Sequence, residues 1–255
     1  MPRSIPGGRH ELGQNFLIHR PTLGRITRLV RVTSGSILEL GAGDGALTRA
    51  LAELGRPLTA IDIDEHRVRR LRAALPGVRV ESADALRHPF DADVVVGNIP
   101  FHLTTPILRR LLSVQQWQHA VLLTQWEVAR KRAGVGGSTM MTAQSAPWFA
   151  FTLEGRVPAH GFAPQPSVDG GLLSITRRGS PLVPPADRRR YESFVRAVFT
   201  GRGTSLAGIV AAAANVQVQS ARRALADAGA AGARLPRDLR AEHWARVWAV
   251  VGRRG

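Results

Sequence analysis

The alternation of short apolar runs with helix-patterned segments is the feature that most constrains the fold of this chain. It begins with an apolar run at 36–40, a Gly-rich turn at 41–45 and a helical pattern at 45–54. This order is the start of a β–α–β unit. Further strands are expected at 57–63, 78–82, 92–97 and 119–125, and further helices at 21–32, 65–74, 105–114 and 126–133. The alternation predicts an α/β fold in which helices cover both faces of a parallel sheet.

The pattern changes in the last third of the chain. Two strands expected at 149–157 and 171–177 have no helix between them, which favours an antiparallel hairpin at the edge of the sheet. A Pro-rich segment follows at 180–185, and beyond it apolar residues recur at helical spacing. We therefore predict a large α/β domain over residues 1–178, whose first 15 residues form a flexible basic arm, and a small all-α domain over residues 186–255.

The charge of the chain indicates a polyanionic partner. The 35 basic and 19 acidic residues give a net charge of +16, and residues 177–255 alone contain 15 basic and 5 acidic residues. Folding does not require such an excess, and a polyanion such as nucleic acid is attracted to it. The absence of Cys excludes disulfides and thiolate metal sites, and we expect no bound metal. No apolar stretch has the length of a signal peptide or a membrane span, so we expect a cytoplasmic protein without membrane association.

Acidic residues stand at the ends of predicted strands around the Gly-rich turn. Glu39 precedes the turn, Asp62 ends the second strand, and Asp84 follows the third. The turn lacks the dinucleotide fingerprint and a phosphate-binding Lys, so the acids suit a ligand with ribose, adenine and positive charge but no phosphate. S-adenosylmethionine has this chemistry. The alternative is that Glu39 and Asp62 are ordinary solvated acids at strand ends.

The tetrad Asn98-Ile99-Pro100-Phe101 directly follows another predicted strand. The Asn98 side chain and a nearby carbonyl, that of Ile99, offer two hydrogen-bond acceptors, and Pro100 restricts the backbone that carries them. Two acceptors match the two hydrogens of an exocyclic amine such as that of adenine, and the Phe101 ring is a stacking surface for a flat substrate. The alternative is an Asn-Pro turn that does no more than end the strand.

These motifs together resemble those of the rRNA adenine N6-methyltransferases. That family comprises the Erm macrolide-resistance enzymes and the 16S rRNA dimethyladenosine transferases. The segments that carry the resemblance are 14–16, 39–43, Asp62, Asp84, the tetrad 98–101 and 162–168. Ile99, the following 102–105 and the segment 124–131 are closer to the actinobacterial Erm type than to the 16S branch. Phe101 stands where the family more often has Tyr, which keeps a ring for stacking and removes the hydroxyl.

The resemblance implies a Rossmann-like, seven-strand methyltransferase domain that uses S-adenosylmethionine, followed by a small helical domain. Asp62 is then expected to bind the donor ribose, Asp84 to read the donor adenine, and Asn98 to close the pocket near the sulfonium. The full set of expected donor-binding residues is Gln14, Asn15, Phe16, Leu17, Glu39, Gly41, Gly43, Asp62, Ile63, Asp84, Ala85 and Asn98. The residues expected at the target adenine are Asn98, Ile99, Pro100, Phe101 and Phe162, with Phe162 stacking on the base opposite the tetrad.

The resemblance leads us to expect N6-methylation of an adenine in the peptidyl-transferase region of 23S rRNA, conferring macrolide-lincosamide-streptogramin B resistance. The alternatives are a 16S rRNA dimethyltransferase of small-subunit maturation, a non-catalytic RNA-binding factor, and, remotely, a DNA adenine methyltransferase. The expected partner is free or nascent 23S rRNA, bound by a monomer. Two basic runs are candidates for contacts with RNA phosphates, and they consist of Arg130, Lys131, Arg132, Arg188, Arg189 and Arg190.

Overall fold

The computed structural model describes residues 15–252 of the chain. The strands are β1 (Phe16–Leu17), β2 (Ile37–Leu40), β3 (Leu58–Asp62), β4 (Arg79–Ser82), β5 (Val94–Asn98), β6 (His119–Gln125), β7 (Phe149–Val157), β8 (Phe162–Ala163) and β9 (Gly170–Arg177). The helices are α1 (Arg20–Arg31), α2 (Ala46–Ala52), α3 (Glu65–Ala74), α4 (Thr104–Ser113), α5 (Trp126–Arg132), α6 (Met140–Ser145), α7 (Arg188–Thr200), α8 (Leu206–Ala214), α9 (Val218–Asp227) and α10 (Ala241–Val251). Short 3₁₀ turns lie at 101–103, 159–161, 185–187 and 236–238. The strands and helices predicted before α6 match these bounds within about three residues, whereas α6 itself was not predicted.

Seven strands form one sheet in the order β4-β3-β2-β5-β6-β9-β7. The pairs β3–β4, β2–β3, β2–β5 and β5–β6 are parallel. Chain order runs outward as β2-β3-β4 in one direction and as β5-β6 in the other, so the reversal point lies between β2 and β5. In open α/β sheets, ligands bind at the carboxyl ends of the strands on either side of such a reversal. The topology therefore places the candidate site at the ends of β2 and β5.

The residues of the central strand β5 show that the sheet is covered on both faces. Its residues Val94, Val95 and Val96 are completely buried, as expected for a parallel strand with helices on both faces. Gly97 follows them, opposite Leu40 of β2. A Cβ atom at Gly97 would lie 2.7 Å from the Leu40 carbonyl oxygen. Glycine thus lets the ends of β2 and β5 approach each other directly beside the candidate site.

The chain divides into two compact units, and the division differs from the predicted boundary. One unit runs up to Trp126 and includes Glu154–Ser174, and the other consists of Glu127–Leu153 and the chain from Ile175 onward. The predicted α/β domain over 1–178 and helical domain over 186–255 differ from this division chiefly at 127–153. These residues cluster with the helical part of the chain.

The packing of aromatic residues on α7 is the physical reason why residues near α6 cluster with the helical part of the chain. The Tyr191 hydroxyl donates a hydrogen bond of 2.9 Å to the carbonyl of Ala143 in α6. The Tyr191 ring meets the Trp148 ring edge to face, with their centroids 5.5 Å apart, and meets Trp248 of α10 in the same way. These contacts bury apolar surface of α7 against Trp148 and Trp248. The sequence pattern predicts that this surface is buried, but it does not predict which neighbours cover it.

Within residues 15–252, no helix is long and apolar enough to cross a membrane.

Candidate active site

Two adjoining cavities lie at the carboxyl ends of the parallel strands. The first is lined by Asn15, Phe16, Gly41, Gly43, Asp62, Asn98, Ile99, Pro100 and Phe101. The second has a volume of about 280 Å³ and is lined by Leu40, Gly41, Ile61, Asp62, Ile63, Ala83, Asp84, Ala85, Leu86, Ile99, Pro100, His102, Leu103 and Ile107. Both cavities share Gly41, Asp62, Ile99 and Pro100. The residues between them are therefore placed to contact a ligand that fills both.

Asp62 connects the Gly-rich turn to the end of β3. Its side chain is 4% exposed. One carboxylate oxygen accepts a hydrogen bond of 2.7 Å from the Gly43 N–H, and the other accepts one of 2.9 Å from the Asp64 N–H. Gly41 and Gly43 both have positive φ, at 73° and 54°, which favours glycine at these two positions. Each carboxylate oxygen keeps a lone pair that can accept a hydrogen bond from a ligand hydroxyl.

Glu39 is a buried acid without a hydrogen-bonding partner for one of its oxygens. The residue is 1% exposed, and its Oε2 has no hydrogen-bonding partner among the described residues. Burial raises the pKa of Glu39 to about 8, and the nearby charge of Asp62 contributes in the same direction. Glu39 does not line either cavity, but Leu40 and Gly41, which follow it directly, do. An unpaired buried carboxyl behind a ligand cavity suits a ligand that carries positive charge.

The orientation of the Asn98 side chain follows from its contact with the N-terminal segment. The Asn98 amide nitrogen donates a hydrogen bond of 2.7 Å to the main-chain carbonyl of Asn15. This bond leaves Oδ1 of Asn98 as the acceptor that remains for a ligand. The Ile99 N–H donates to the Leu123 carbonyl of β6 at 2.9 Å, and no donor among the described residues reaches the Ile99 carbonyl. Oδ1 of Asn98 and the carbonyl of Ile99 are therefore both without a donor among the described residues.

A cluster around Phe16 holds the N-terminal segment over the Gly-rich turn. The Arg67 guanidinium lies over the Phe16 ring, with its Cζ 4.3 Å from the ring centroid. Arg67 also forms ion pairs with Asp44 and, at 3.2 Å, with Asp64. On the other side, a Cβ atom at Gly43 would lie 3.0 Å from the Phe16 ring. The ring is therefore held between Arg67 and Gly43, and this position supports the neighbouring Asn15 carbonyl.

Sequence reasoning did not identify Arg67 as a residue of the site. The local pattern indicates only that Arg67 belongs to the first turn of α3. Asp64 caps that turn by accepting hydrogen bonds from the main-chain N–H groups of His66 and Arg67. The contact with Phe16 links residues 51 positions apart, so no local pattern could have revealed it. The cavity walls also include apolar residues that were not predicted, which are Leu40, Ile61, Leu86, Leu103 and Ile107.

Most of the predicted site residues line the two cavities. These are Asn15, Phe16, Gly41, Gly43, Asp62, Ile63, Asp84, Ala85, Asn98, Ile99, Pro100 and Phe101. Asp84 is held by a hydrogen bond of 2.8 Å from the Leu86 N–H to its carboxylate. Leu17 and Glu39 are buried and line neither cavity, and the predicted Gln14 lies outside the described residues 15–252.

Phe162 is placed differently from the expectation. Its side chain is 2% exposed and belongs to the hydrophobic core rather than to either cavity. A Cβ atom at Gly170 would lie 2.8 Å from the Phe162 ring, so this glycine makes room for the ring. Phe162 also lies opposite Leu17 in the antiparallel pair β1–β8. In this structure it supports the N-terminal segment, and the predicted stacking on a base requires the ring to become exposed when substrate binds.

The two predicted basic runs contain both engaged and exposed side chains. Arg130 pairs with Glu127 at 3.0 Å, and Arg132 donates to the Thr139 hydroxyl at 2.8 Å. Arg188 lies over the Trp148 ring, with its Cζ 5.2 Å from the ring centroid. Arg188 also pairs with Glu192, and Arg190 with the Gly252 carbonyl. Lys131 and Arg189 are exposed, so these two remain the most accessible members of the predicted set.

The sheet order, the Gly-rich turn without a phosphate-binding Lys and the acceptor pair at the end of β5 define the chain as an α/β methyltransferase. Comparison with known proteins agrees with this class. The profile described as ribosomal RNA adenine dimethylase matches residues 7–246, and the chain belongs to that family. The predicted family and fold class are thereby confirmed.

Three individual proteins show how similar the chain is to known sequences and structures. The chain is 51% identical to the mycinamicin-resistance protein MyrB of Micromonospora griseorubida over 257 residues, covering 97% of this chain and 81% of that protein. It is 51% identical to an rRNA adenine N-6-methyltransferase of Corynebacterium diphtheriae, covering 80% and 82% of the two chains. The crystal structure of the 23S rRNA methyltransferase ErmE superposes with a TM-score of 0.85 and 32% identity, over 93% of this chain and all of that one.

Proposed function

We propose that this protein transfers a methyl group from S-adenosylmethionine to N6 of an adenine in the peptidyl-transferase region of 23S rRNA. The modification would confer macrolide-lincosamide-streptogramin B resistance. The observation that carries the proposal is the acceptor pair at the end of β5, where the Asn98 amide is oriented by the Asn15 carbonyl. The names of the relatives, a mycinamicin-resistance protein and a 23S rRNA methyltransferase, support the substrate and the phenotype.

The residues around the two cavities fit S-adenosylmethionine, which supplies an electrophilic methyl group on a sulfonium. Asp62 can accept hydrogen bonds from ribose hydroxyls at the junction of the cavities. Asp84 and the main chain at Ala85, which line the larger cavity, would bind the adenine between apolar walls such as Ile63. The buried carboxyl of Glu39, one of whose oxygens has no partner among the described residues, would supply negative charge behind the site once a bound sulfonium favours its ionised form.

Positioning of the substrate amine is the main task of the tetrad. The lone pair of the adenine amine is delocalised into the ring, so the free amine is a poor nucleophile. Oδ1 of Asn98 and the carbonyl of Ile99 would accept its two hydrogens and direct the nitrogen toward the methyl group. Phe101, which lines the first cavity, would stack on the base once it has left the RNA helix. Rate enhancement then comes from orientation and electrostatics, and the extra proton leaves the product amine for solvent.

Replacement of Asn98 tests this assignment. Asn98→Ala should lower the rate of methyl transfer at least about 100-fold, because one of two oriented acceptors is lost. Binding of S-adenosylmethionine, measured by calorimetry, should weaken far less than the rate falls, and the thermal midpoint should change little. Gln115→Ala removes an exposed amide elsewhere in the same unit and serves as the matched control. Full activity of Asn98→Ala would refute the proposed role of the tetrad.

The substrate is tested with radiolabelled S-adenosylmethionine on protein-free 23S rRNA, intact large subunits and intact small subunits. Label mapped by primer extension to a peptidyl-transferase adenine of the free 23S rRNA would support the proposal. We also propose that the protein acts as a monomer on free or nascent RNA in the cytoplasm, so intact large subunits should accept far less label. Label confined to small subunits would instead indicate the 16S alternative, and no label in any RNA would refute methylation of rRNA.

A further inference from the structure

A groove on the second compact unit is separate from the two cavities described above and shares no residue with them. Its volume is about 640 Å³, within the usual range for ligand sites in proteins. Four arginines line it, Arg132, Arg178, Arg237 and Arg240, together with the acids Asp238 and Glu242. The unit that contains the groove carries 18 basic and 6 acidic residues, a net +12 of the total +16. The groove thus lies on the most basic part of the chain.

Some of the charged side chains in the groove have hydrogen-bonding partners within the protein, and others do not. The Asp238 carboxylate accepts hydrogen bonds from the N–H groups of Arg234 and Leu235, at 3.0 and 2.9 Å. Glu242 approaches Arg178 only to 3.9 Å. No hydrogen bond or ion pair of the Arg237 guanidinium occurs among the described residues. Its five donors are therefore available to an external acceptor.

The Gly-rich loop 133–138 forms one wall of the groove and holds Arg237 in place. The Ser138 N–H donates a hydrogen bond of 2.8 Å to the Arg237 carbonyl. Gly137 has a φ of 113°, and a Cβ atom there would lie 3.3 Å from the aliphatic carbons of Arg237. Glycine at this position lets the Arg237 stem lie flat against the loop. Arg132, which directly precedes the loop, is oriented by its hydrogen bond to Thr139, which directly follows it.

Aromatic side chains complete the groove. Of the two phenylalanines that line it, Phe149 is fully buried, so only the half-buried Phe151 offers ring surface to a ligand. Arginine forks bind phosphate in bidentate fashion and stack on bases, and aromatic rings offer stacking surfaces to any unpaired base. An acidic peptide would use the arginines but would have no need of a ring. The combination favours single-stranded or looped RNA over other polyanions.

We infer that this groove binds an RNA strand by its phosphates, with Arg237 and Arg240 as the principal phosphate ligands and Phe151 beside a base. The inference rests on the proposed function, because it assumes an RNA substrate, and it adds a binding site to the acceptor pair at Asn98. Neither basic run predicted from sequence includes Arg178, Arg237 or Arg240. Of the predicted residues, only Arg132 lines this groove.

The test compares two double variants that lose the same charge. Arg237→Ala/Arg240→Ala removes the groove ligands, whereas Arg222→Ala/Arg223→Ala removes two exposed arginines of α9 outside it. Filter binding to a 23S rRNA fragment that contains the peptidyl-transferase region gives Kd across a range of salt concentrations. The groove variant should bind about tenfold more weakly or worse. Its slope of log Kd against log salt should fall by roughly 0.7 to 0.9 for each phosphate that the variant no longer binds.

Two further measurements distinguish a loss of RNA binding from a loss of folding. The thermal midpoint and the affinity for S-adenosylmethionine should equal those of the wild type, and Arg237→Ala alone serves if the double variant is unstable. Arg237→Lys keeps the charge and loses the fork, so its affinity for RNA should be intermediate.

Equal Kd and equal salt slope for the groove variant and the α9 control would overturn the proposal that the groove binds RNA. Methyl incorporation is read separately, so a wild type that binds RNA through the groove but transfers no methyl group would overturn only the proposed activity. A wild type that binds no RNA would overturn both.

Discussion

The buried carboxyl of Glu39 leads to a prediction in which stability and donor binding change in opposite directions. Burial raises the pKa of Glu39 from 4.5 to about 8, so the folded protein prefers the protonated form. A carboxyl whose folded-state pKa is raised stabilises the fold less as the pH rises from the unfolded-state pKa to the folded-state pKa. The ligand-free protein should therefore lose stability between about pH 4.5 and pH 8.

The size of the effect follows from the difference between the two pKa values. A difference of one in pKa corresponds to about 1.4 kcal/mol, so the loss is at most about 5 kcal/mol. Glu39→Gln cannot ionise. By pH 5.5 the wild type should have lost only about 1.4 kcal/mol of this contribution, whereas by pH 8.5 it should have lost nearly all of it. The stability of the variant relative to the wild type should therefore rise by a few kcal/mol between these two pH values. Because the amide carries no charge, the variant should also bind cationic S-adenosylmethionine more weakly.

Urea denaturation at pH 5.5 and pH 8.5 measures the free energy of unfolding, and calorimetry measures donor affinity. Other titrating groups affect both proteins equally and cancel in the comparison. Glu53→Gln changes an exposed acid at the end of α2 and should show neither effect. An unfolding difference between wild type and Glu39→Gln that is the same at both pH values would refute the argument.

Two further predictions concern the residues around the site. Arg67→Ala should lower kcat for methyl transfer about tenfold, a loss of about 1.4 kcal/mol, because Phe16 and the Asn15 carbonyl lose their support. In steady-state assays the exposed Arg70→Ala of the same helix should be unchanged, and equal rates for the two variants would argue against the link. Gly97→Ala should cost about 1–3 kcal/mol in urea denaturation, because its Cβ would lie 2.7 Å from the Leu40 carbonyl. Gly77→Ala, where no atom lies within 4 Å of the added Cβ, is its control, and a smaller cost at Gly97 would contradict the steric account.

The elements of the fold and the ends of the strands could be predicted from the sequence. Apolar runs of four to seven residues separated by helical spacing identify the parallel strands, because both faces of such strands are buried. The same logic places Asp62, Asp84 and Asn98 at one edge of the sheet, since parallel strands end on the same side. The Asn98 tetrad and Gly41 and Gly43 depend on local motifs, which the sequence displays directly.

Tertiary structure decided how distant segments support that edge. The Asn15 carbonyl orients the side chain of Asn98, which lies 83 positions further along the chain. Arg67 holds the Phe16 ring by a contact that cannot be predicted from the spacing of apolar residues. Phe162 is a member of an evident motif, yet packing against Gly170 buries it.

Residues 127–153 illustrate the same limit at the level of a whole segment. They look like a continuation of the α/β pattern, but they cluster with the helical unit. A short amphipathic segment can bury its apolar face against several partners. The sequence by itself therefore determined the strands, the helices and the chemistry at the sheet edge, and only the packing of the folded chain determined which side chains hold that chemistry in place.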